Sequence, residues 1–327
     1  MFSWRSIQRQ NFTDWKKLFV FLELDPLSIQ KIDTNPRFTL NLPMRLANKI
    51  KKNSLDDPIL RQFLPLIEEK FTATGFSPDP VKDETFRKTS KLLHKYKGRA
   101  LLVATSACAM HCRFCFRKNF DYDTQNKSFE DELRAIRNDP SLSEILLSGG
   151  DPLSLDNKFL QGLLEELGKI PHVKRIRFHT RFPIGIPERI DEEFLDILSS
   201  IPKQIVFMLH VNHPLELDDE VLRVLKNIQK RGIPILQQSV LLKGINDNEK
   251  TQQELSEKLI DNGIVPCYIH QLDKVEGSAH FEVEEKKGIS LAEHLRTILP
   301  GYGVPKYVKE IAGDPAKRPI TELTSYS

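Results

Sequence analysis

The sequence predicts an α/β fold, an incomplete barrel of six β/α units behind a mainly helical N-terminal extension. Three observations lead to that expectation. Short apolar or β-branched runs alternate with amphipathic helical patterns from Arg99 onward. After the first pair the runs begin every 29 to 31 residues, the length of a strand and its returning helix. Potentially reactive groups follow nearly every run. Barrels collect their chemistry in this way from the ends of many strands, whereas an open sheet concentrates it at one switch point.

Residues 1–95 are punctuated by proline and carry charged amphipathic stretches such as "DPILRQFLPLIEEKF" from Asp57, so they read as short helices and connectors. Residues 96–285 hold the repeating units. The expected strands are "RALLVAT" from Arg99, "EILLS" from Glu144, "RIRFHT" from Arg175, "QIVFMLH" from Gln204, "PILQQSVLL" from Pro234 and "VPCYIHQL" from Val265. The helical patterns between them begin at Phe129, Lys158, Asp191, Asp218 and Thr251; the last two run out at Gly232 and Gly263, residues suited to closing a helix. Residues 286–327 form a C-terminal helix and tail.

The composition bounds the function classes. With 327 residues there is ample core without covalent staples. Basic residues number 48 and acidic ones 45, so the net charge of +3 points to no nucleic-acid partner, and Lys49, Lys51 and Lys52 read as solvated surface. The opening "MFSWRSIQRQNF" lacks the apolar stretch of a signal peptide, and the apolar run Leu18 to Leu22 is too short to span a bilayer. Four cysteines, three of them clustered, are no disulfide framework, and the expected home is the cytoplasm.

The cluster is "CAMHCRFC", Cys108, Cys112 and Cys115, in the loop after the first expected strand. Structural zinc takes four ligands, usually as two pairs, and no second pair is spaced to complete a set here. A buried-core role fits poorly because His111 and Arg113 interleave the thiols. An iron–sulfur cluster fits better, since three thiolates on four irons leave one iron open. Cys267, inside an apolar run, reads as core packing.

C-x3-C-x2-C in this position resembles the signature of the radical S-adenosylmethionine (SAM) superfamily. "LSGGDPL", Leu147 to Leu153, agrees, since that superfamily has a glycine-rich segment after the second strand whose backbone meets the SAM amino group. The resemblance implies contact with SAM at Ser148, Gly149, Gly150 and Asp151. It narrows further with "HKYKGRALL", "CRFCFRK", "HVNHP", "QQSVLLKGIND", "LDKVEGSAHF" and "GYGVPKYVKEIAGDPAKRP". Together these resemble the lysine 2,3-aminomutase family, closest to the short branch that serves elongation factor P, from about His94 onward.

The resemblance implies three cofactors: a [4Fe–4S] cluster on Cys108, Cys112 and Cys115, SAM on the open iron, and pyridoxal phosphate (PLP) held as an imine on Lys317. It also implies a chemistry in which a 5′-deoxyadenosyl radical takes a hydrogen from Cβ of the substrate and the amino group shifts from Cα to Cβ. Arg117 matches the arginine that grips the substrate carboxylate; Asp273 and Glu310 match the acids that bracket the ε-ammonium of lysine. Glu310 stands where relatives carry Asp, and only Gly313 remains of the run of glycines that several relatives place before the lysine. Tyr96 and Arg99 match a Y-x-x-R that contacts PLP. For His210, Asn212, His213 and Gln238, cofactor contact and a structural role both stay open.

The longer branch carries a zinc-binding C-terminal extension helped by a cysteine in the "GIND" loop. This chain stops at Ser327 and has Asn248 at that position, so no zinc is expected. The expected product is β-lysine, the R enantiomer. A lysyl-tRNA-synthetase-like ligase would pass it to elongation factor P, and an electron donor would serve the cluster. No nucleic-acid or membrane partner is expected, and homo-oligomerisation stays open. Two rival readings remain: an aminomutase acting on free lysine in metabolism, and a non-catalytic iron–sulfur or zinc protein contacting RNA.

Overall fold

The computed structural model describes residues 3–321. Its N-terminal part contains three short helices, α1 (Trp4–Gln8), α2 (Trp15–Phe21) and α3 (Met44–Ala47), joined by 3-10 turns. Ser3 and Asp14 start the first two by accepting the amides of Ser6 and Lys16. Leu18, Leu22, Leu46 and Phe63 from this part are buried in the same apolar core as Leu102, Ile145, Phe178 and Phe207 from the sheet.

One nine-stranded sheet runs in chain order: β1 (Leu92–Tyr96), β2 (Arg99–Thr105), β3 (Glu144–Gly149), β4 (Arg175–Thr180), β5 (Gln204–His210), β6 (Ile235–Val240), β7 (Val265–His270), β8 (Lys306–Lys309) and β9 (Arg318–Pro319). The crossovers carry α4 (Glu130–Arg137), α5 (Asn157–Gly168), α6 (Phe182–Gly185), α7 (Glu192–Ser200), α8 (Asp219–Lys230), α9 (Glu249–Asp261) and α10 (Glu285–Ile298). Asp156, Asp191, Asp218 and Asn248 cap α5, α7, α8 and α9 through their side chains, so each strand-to-helix turn carries its own start signal. No helix among the described residues is long and apolar enough to cross a membrane.

The six expected strands are β2 to β7. The sheet is longer than expected, however: β2 to β8 form a parallel run of seven, with β1 and β9 antiparallel at its edges. Among the described residues the two edges do not pair, so the barrel stays open. β8 escapes the pattern because it is four residues long and only Tyr307 and Val308 are buried. β1 straddles the expected boundary at 95/96 and forms a hairpin with β2 through Gly98, whose φ is +80°. Cys267 is half-buried on β7 rather than in the core.

Gly149 and Gly150 are dictated by close packing. Gly149 has φ +119°, and a Cβ on either residue would collide with the carbonyl oxygen of Thr105 or Ala107. The Gly150 amide donates to Thr105 O at 2.7 Å and the Asp151 amide to Ala107 O at 2.8 Å. The two glycines therefore strap the end of β3 to the start of the cysteine loop.

Replacing Gly150 with Ala is expected to lower the stability of the apo protein by about 1–3 kcal/mol, the usual cost of overpacking a rigid contact. Gly162→Ala in α5, where a Cβ meets nothing within 4 Å, is the contrasting case and should gain up to about 1 kcal/mol. Denaturant unfolding of the two variants checks this, and equal stability would remove the strap.

Candidate active site

A cavity of about 340 Å³ opens where the parallel strands end. It is lined by Cys108, Cys112 and Cys115, by Ser148, Gly149, Gly150 and Asp151, by Arg117, Asp273, Glu310 and Lys317, and by Tyr96, Arg99, His210 and Gln238. Of the residues singled out from the sequence for a cofactor or substrate, all but Asn212 and His213 thus border one space.

The cysteine loop is held from the N-terminal side. Arg113, between the second and third cysteines, is almost fully buried and makes a two-pronged pair with Glu69, Nε at 2.8 Å and Nη2 at 2.6 Å; its Nη1 donates to Phe38 O. The Arg113 amide donates to Gln62 O and the His111 amide to Asn41 O, both at 2.9 Å, while Asn11 Nδ2 donates to Ala109 O at 2.8 Å. The segment from Asn11 to Glu69 therefore serves as the outer wall of the loop.

Burial pushes the three thiols up, Cys115 to about 11, so the ligand-free cysteines are protonated and binding of iron would release protons. No three His, Cys, Asp or Glu side chains among the described residues converge on a point that would hold a single metal ion. In an iron–sulfur cluster each thiolate binds its own iron, and three thiols bordering one cavity fit that donor set.

On the far side of the cavity the charges alternate. Arg117 Nε bonds Asp83 Oδ2 at 2.9 Å, Lys95 Nζ lies 3.3 Å from Asp83 Oδ1 and 3.0 Å from Glu310 Oε1, and Lys317 Nζ lies 2.8 Å from Glu310 Oε2. Burial opposes ionisation of Glu310, but Lys317 and Lys95 outweigh it and hold its carboxyl down to about 2. Asp273 differs. Its side chain makes no hydrogen bond or ion pair among the described residues, and burial pushes its carboxyl up to about 7 against the pull of Lys317. The two acids expected to act as a pair are thus unequal: Glu310 is already bridged by lysines, and Asp273 is free.

Several of the residues singled out are engaged in hydrogen bonds within the protein. Both Asp151 oxygens are occupied by Thr180 Oγ1 and by the amides of Leu153, Arg181 and Phe182 at 2.8–3.0 Å, although burial still pushes the group up to about 6. Asn212 is fully buried, bonding Gln62 Oε1 and the Val240 amide, and His213 Nδ1 accepts the Leu215 amide. His210 stays in the cavity wall with Nε2 on Asn212 Oδ1 at 3.1 Å; burial, helped by Arg181, lowers its pKa to about 4, so the ring is neutral. Arg99 lies over the Tyr96 ring at 4.6 Å and makes no ion pair among the described residues.

Sequence reasoning missed Asp83 and Lys95 from the extension and His270 from β7, and it assigned no role to His179 on β4. Burial holds His179 and His270 well below the usual histidine range, and their Nε2 atoms have no hydrogen-bond partner among the described residues. Two unpartnered ring nitrogens and an unpaired guanidinium in one cavity fit a polar, anionic ligand such as PLP.

The radical SAM superfamily model matches residues 102–254, which contain the cysteine loop and the glycine strap. L-lysine 2,3-aminomutase of Escherichia coli (strain K12) is 40% identical over 86% of this chain and 83% of its own length. The Haemophilus influenzae enzyme of that name is 37% identical over 96% of this chain and 94% of its own. That of Clostridium subterminale is 34% identical over 83% and 66% respectively. Members of this family are isomerases that use a [4Fe–4S] cluster, SAM and PLP, and the cysteine triplet borders the cavity. With that architecture and these relatives, the chain belongs to the L-lysine 2,3-aminomutase family of the radical SAM superfamily.

Proposed function

We propose that this protein converts L-lysine to (R)-β-lysine in the cytoplasm, for attachment to elongation factor P by a lysyl-tRNA-synthetase-like ligase. The observation that carries the reading is one cavity bordered by three cysteines, a glycine strap, an arginine, two acids and the lysine of an A-K-R-P tail. Its homologues named L-lysine 2,3-aminomutase supply the substrate. For the elongation-factor branch the support is narrower. Asn248, where the longer branch has a zinc-binding cysteine, here caps α9 by accepting the Thr251 amide at 2.9 Å.

Cys108, Cys112 and Cys115 would hold the cluster, the Ser148–Gly150 backbone would face SAM, and Lys317 and Arg99 would hold the aldehyde and phosphate ends of PLP. When bound, the cluster and SAM supply a carbon radical, and PLP supplies the π-system on which nitrogen migrates. The remaining work belongs to the chain. Arg117 is held at Nε by Asp83 and at Nη1 by Ser148 Oγ, which leaves Nη2 to donate to a carboxylate. Asp273, lacking an internal partner, takes the ε-ammonium. Glu310 keeps Lys317 within the cavity and adds negative charge beside Asp273. A second carboxylate on the substrate, as in glutamate, would meet repulsion there.

Anaerobic reconstitution with iron, sulfide, PLP and SAM, followed by dithionite as the reductant and labelled lysine, should yield labelled (R)-β-lysine, and borohydride should trap the pyridoxyl group on Lys317. Trapping on Lys306 or Lys309 would overturn the assignment of the tail. Deleting the gene should leave elongation factor P lighter by the mass of the modification, whereas an unchanged factor would favour a role in free-lysine metabolism.

Because Asp273 must be ionised to hold a cation and its carboxyl titrates near 7, KM for lysine should rise towards tenfold per unit as pH falls below that value. Asp273→Asn should show a higher KM without this limb. A variant that keeps the wild-type pH profile would place the ammonium elsewhere.

A further inference from the structure

The end of β4 carries a buried cation that the roles above leave unused. Arg181 follows the last residue of β4, and its Nη1 lies 2.8 Å from Cys112 Sγ. Its Nη2 bonds Glu216 Oε2 at 2.8 Å and Gln62 Oε1 at 2.6 Å. The guanidinium also lies over the rings of Phe63 and Phe114, at 5.1 and 5.8 Å. Glu216 is in turn fixed, accepting the Asn212 and His213 amides at 3.1 and 2.9 Å. The side chain of Arg181 is 5% exposed and that of Glu216 fully buried. Held on three sides, the guanidinium cannot turn away, and one N–H edge is fixed against a sulfur.

We propose that Arg181 donates a hydrogen bond to the cluster-bound sulfur of Cys112 and thereby raises the potential at which the cluster accepts its electron. This rests on the reading of Cys112 as a cluster ligand. A thiol is a weak acceptor, but a thiolate carrying a cluster is a strong one, and a cationic donor strengthens the bond. One electron from an external donor makes the cluster more negative, with no bond made or broken. A fixed positive charge and a hydrogen bond to a ligand sulfur stabilise that reduced form more than the oxidised one. Glu216 offsets part of the charge from the opposite end of the guanidinium, so the sulfur meets the positive end of an oriented pair. Arg181 is on this account a positioning and tuning residue that leaves the substrate untouched.

The test is an EPR-monitored redox titration of anaerobically reconstituted Arg181→Met and Arg181→Lys, with iron and sulfide determined on the same samples. Both should titrate at a more negative potential than wild type, Met further than Lys, which keeps the charge and loses the fork. A variant with a full cluster at the wild-type potential overturns the proposal. Protein labelled with arginine carrying 15N in the guanidinium alone gives a second reading: pulsed EPR of the reduced cluster should show a 15N coupling that Arg181→Met lacks, and its absence from wild type overturns the proposal. If Cys112→Ala keeps a complete cluster, it is the underlying ligand reading that fails.

Discussion

The pair between Arg113 and Glu69 is the contact on which the site depends. It is buried on both sides and two-pronged, and it ties the middle of the cysteine loop to the N-terminal segment. Removing one partner of such a pair strands a charge away from water, at about 3–5 kcal/mol. Without it, a polar loop carrying three thiols has little of its own to fix its path. The glycine strap secures the other end of the loop through backbone contacts at Thr105 and Ala107. Between these two anchors the thiols border the cavity together.

The remaining wall of the cavity faces a different problem, since several charges share a small space. Alternation solves it. Arg117, Asp83, Lys95, Glu310 and Lys317 follow one another with opposite signs at 2.8–3.3 Å, so each buried charge has a counter-charge. Asp273 has no such partner among the described residues, and burial pushes its carboxyl up to about 7. A cationic ligand group would complete the alternation. On the proposed function, an ammonium would fill this charge vacancy and favour the ionised state of Asp273.

Much of this was legible in the sequence. The recurring β/α period located β2 to β7, and the cysteine spacing located the cluster loop, because both signals are local. What the sequence hid depends on distant partners. β8 is too short to show a period, and β1 lies across an expected boundary. Asp83 and Lys95 look like surface charges until the fold brings them to Arg117 and Glu310, and Glu69 until it meets Arg113. The "HVNHP" segment offered three polar side chains of equal promise; only burial distinguishes His210 in the wall from Asn212 and His213 behind it. Gly149 and Gly150 were singled out for approach to a ligand, while their immediate cause is the backbone of the neighbouring loop.

The central claim is that three cysteines hold a four-iron cluster whose remaining iron is open to SAM. Mössbauer spectroscopy of 57Fe-reconstituted protein tests it most directly. Adding SAM should alter the signal of one iron in four and leave the other three in place. Four irons that respond alike, or a site that loads zinc and excludes iron under anaerobic conditions, would contradict the account.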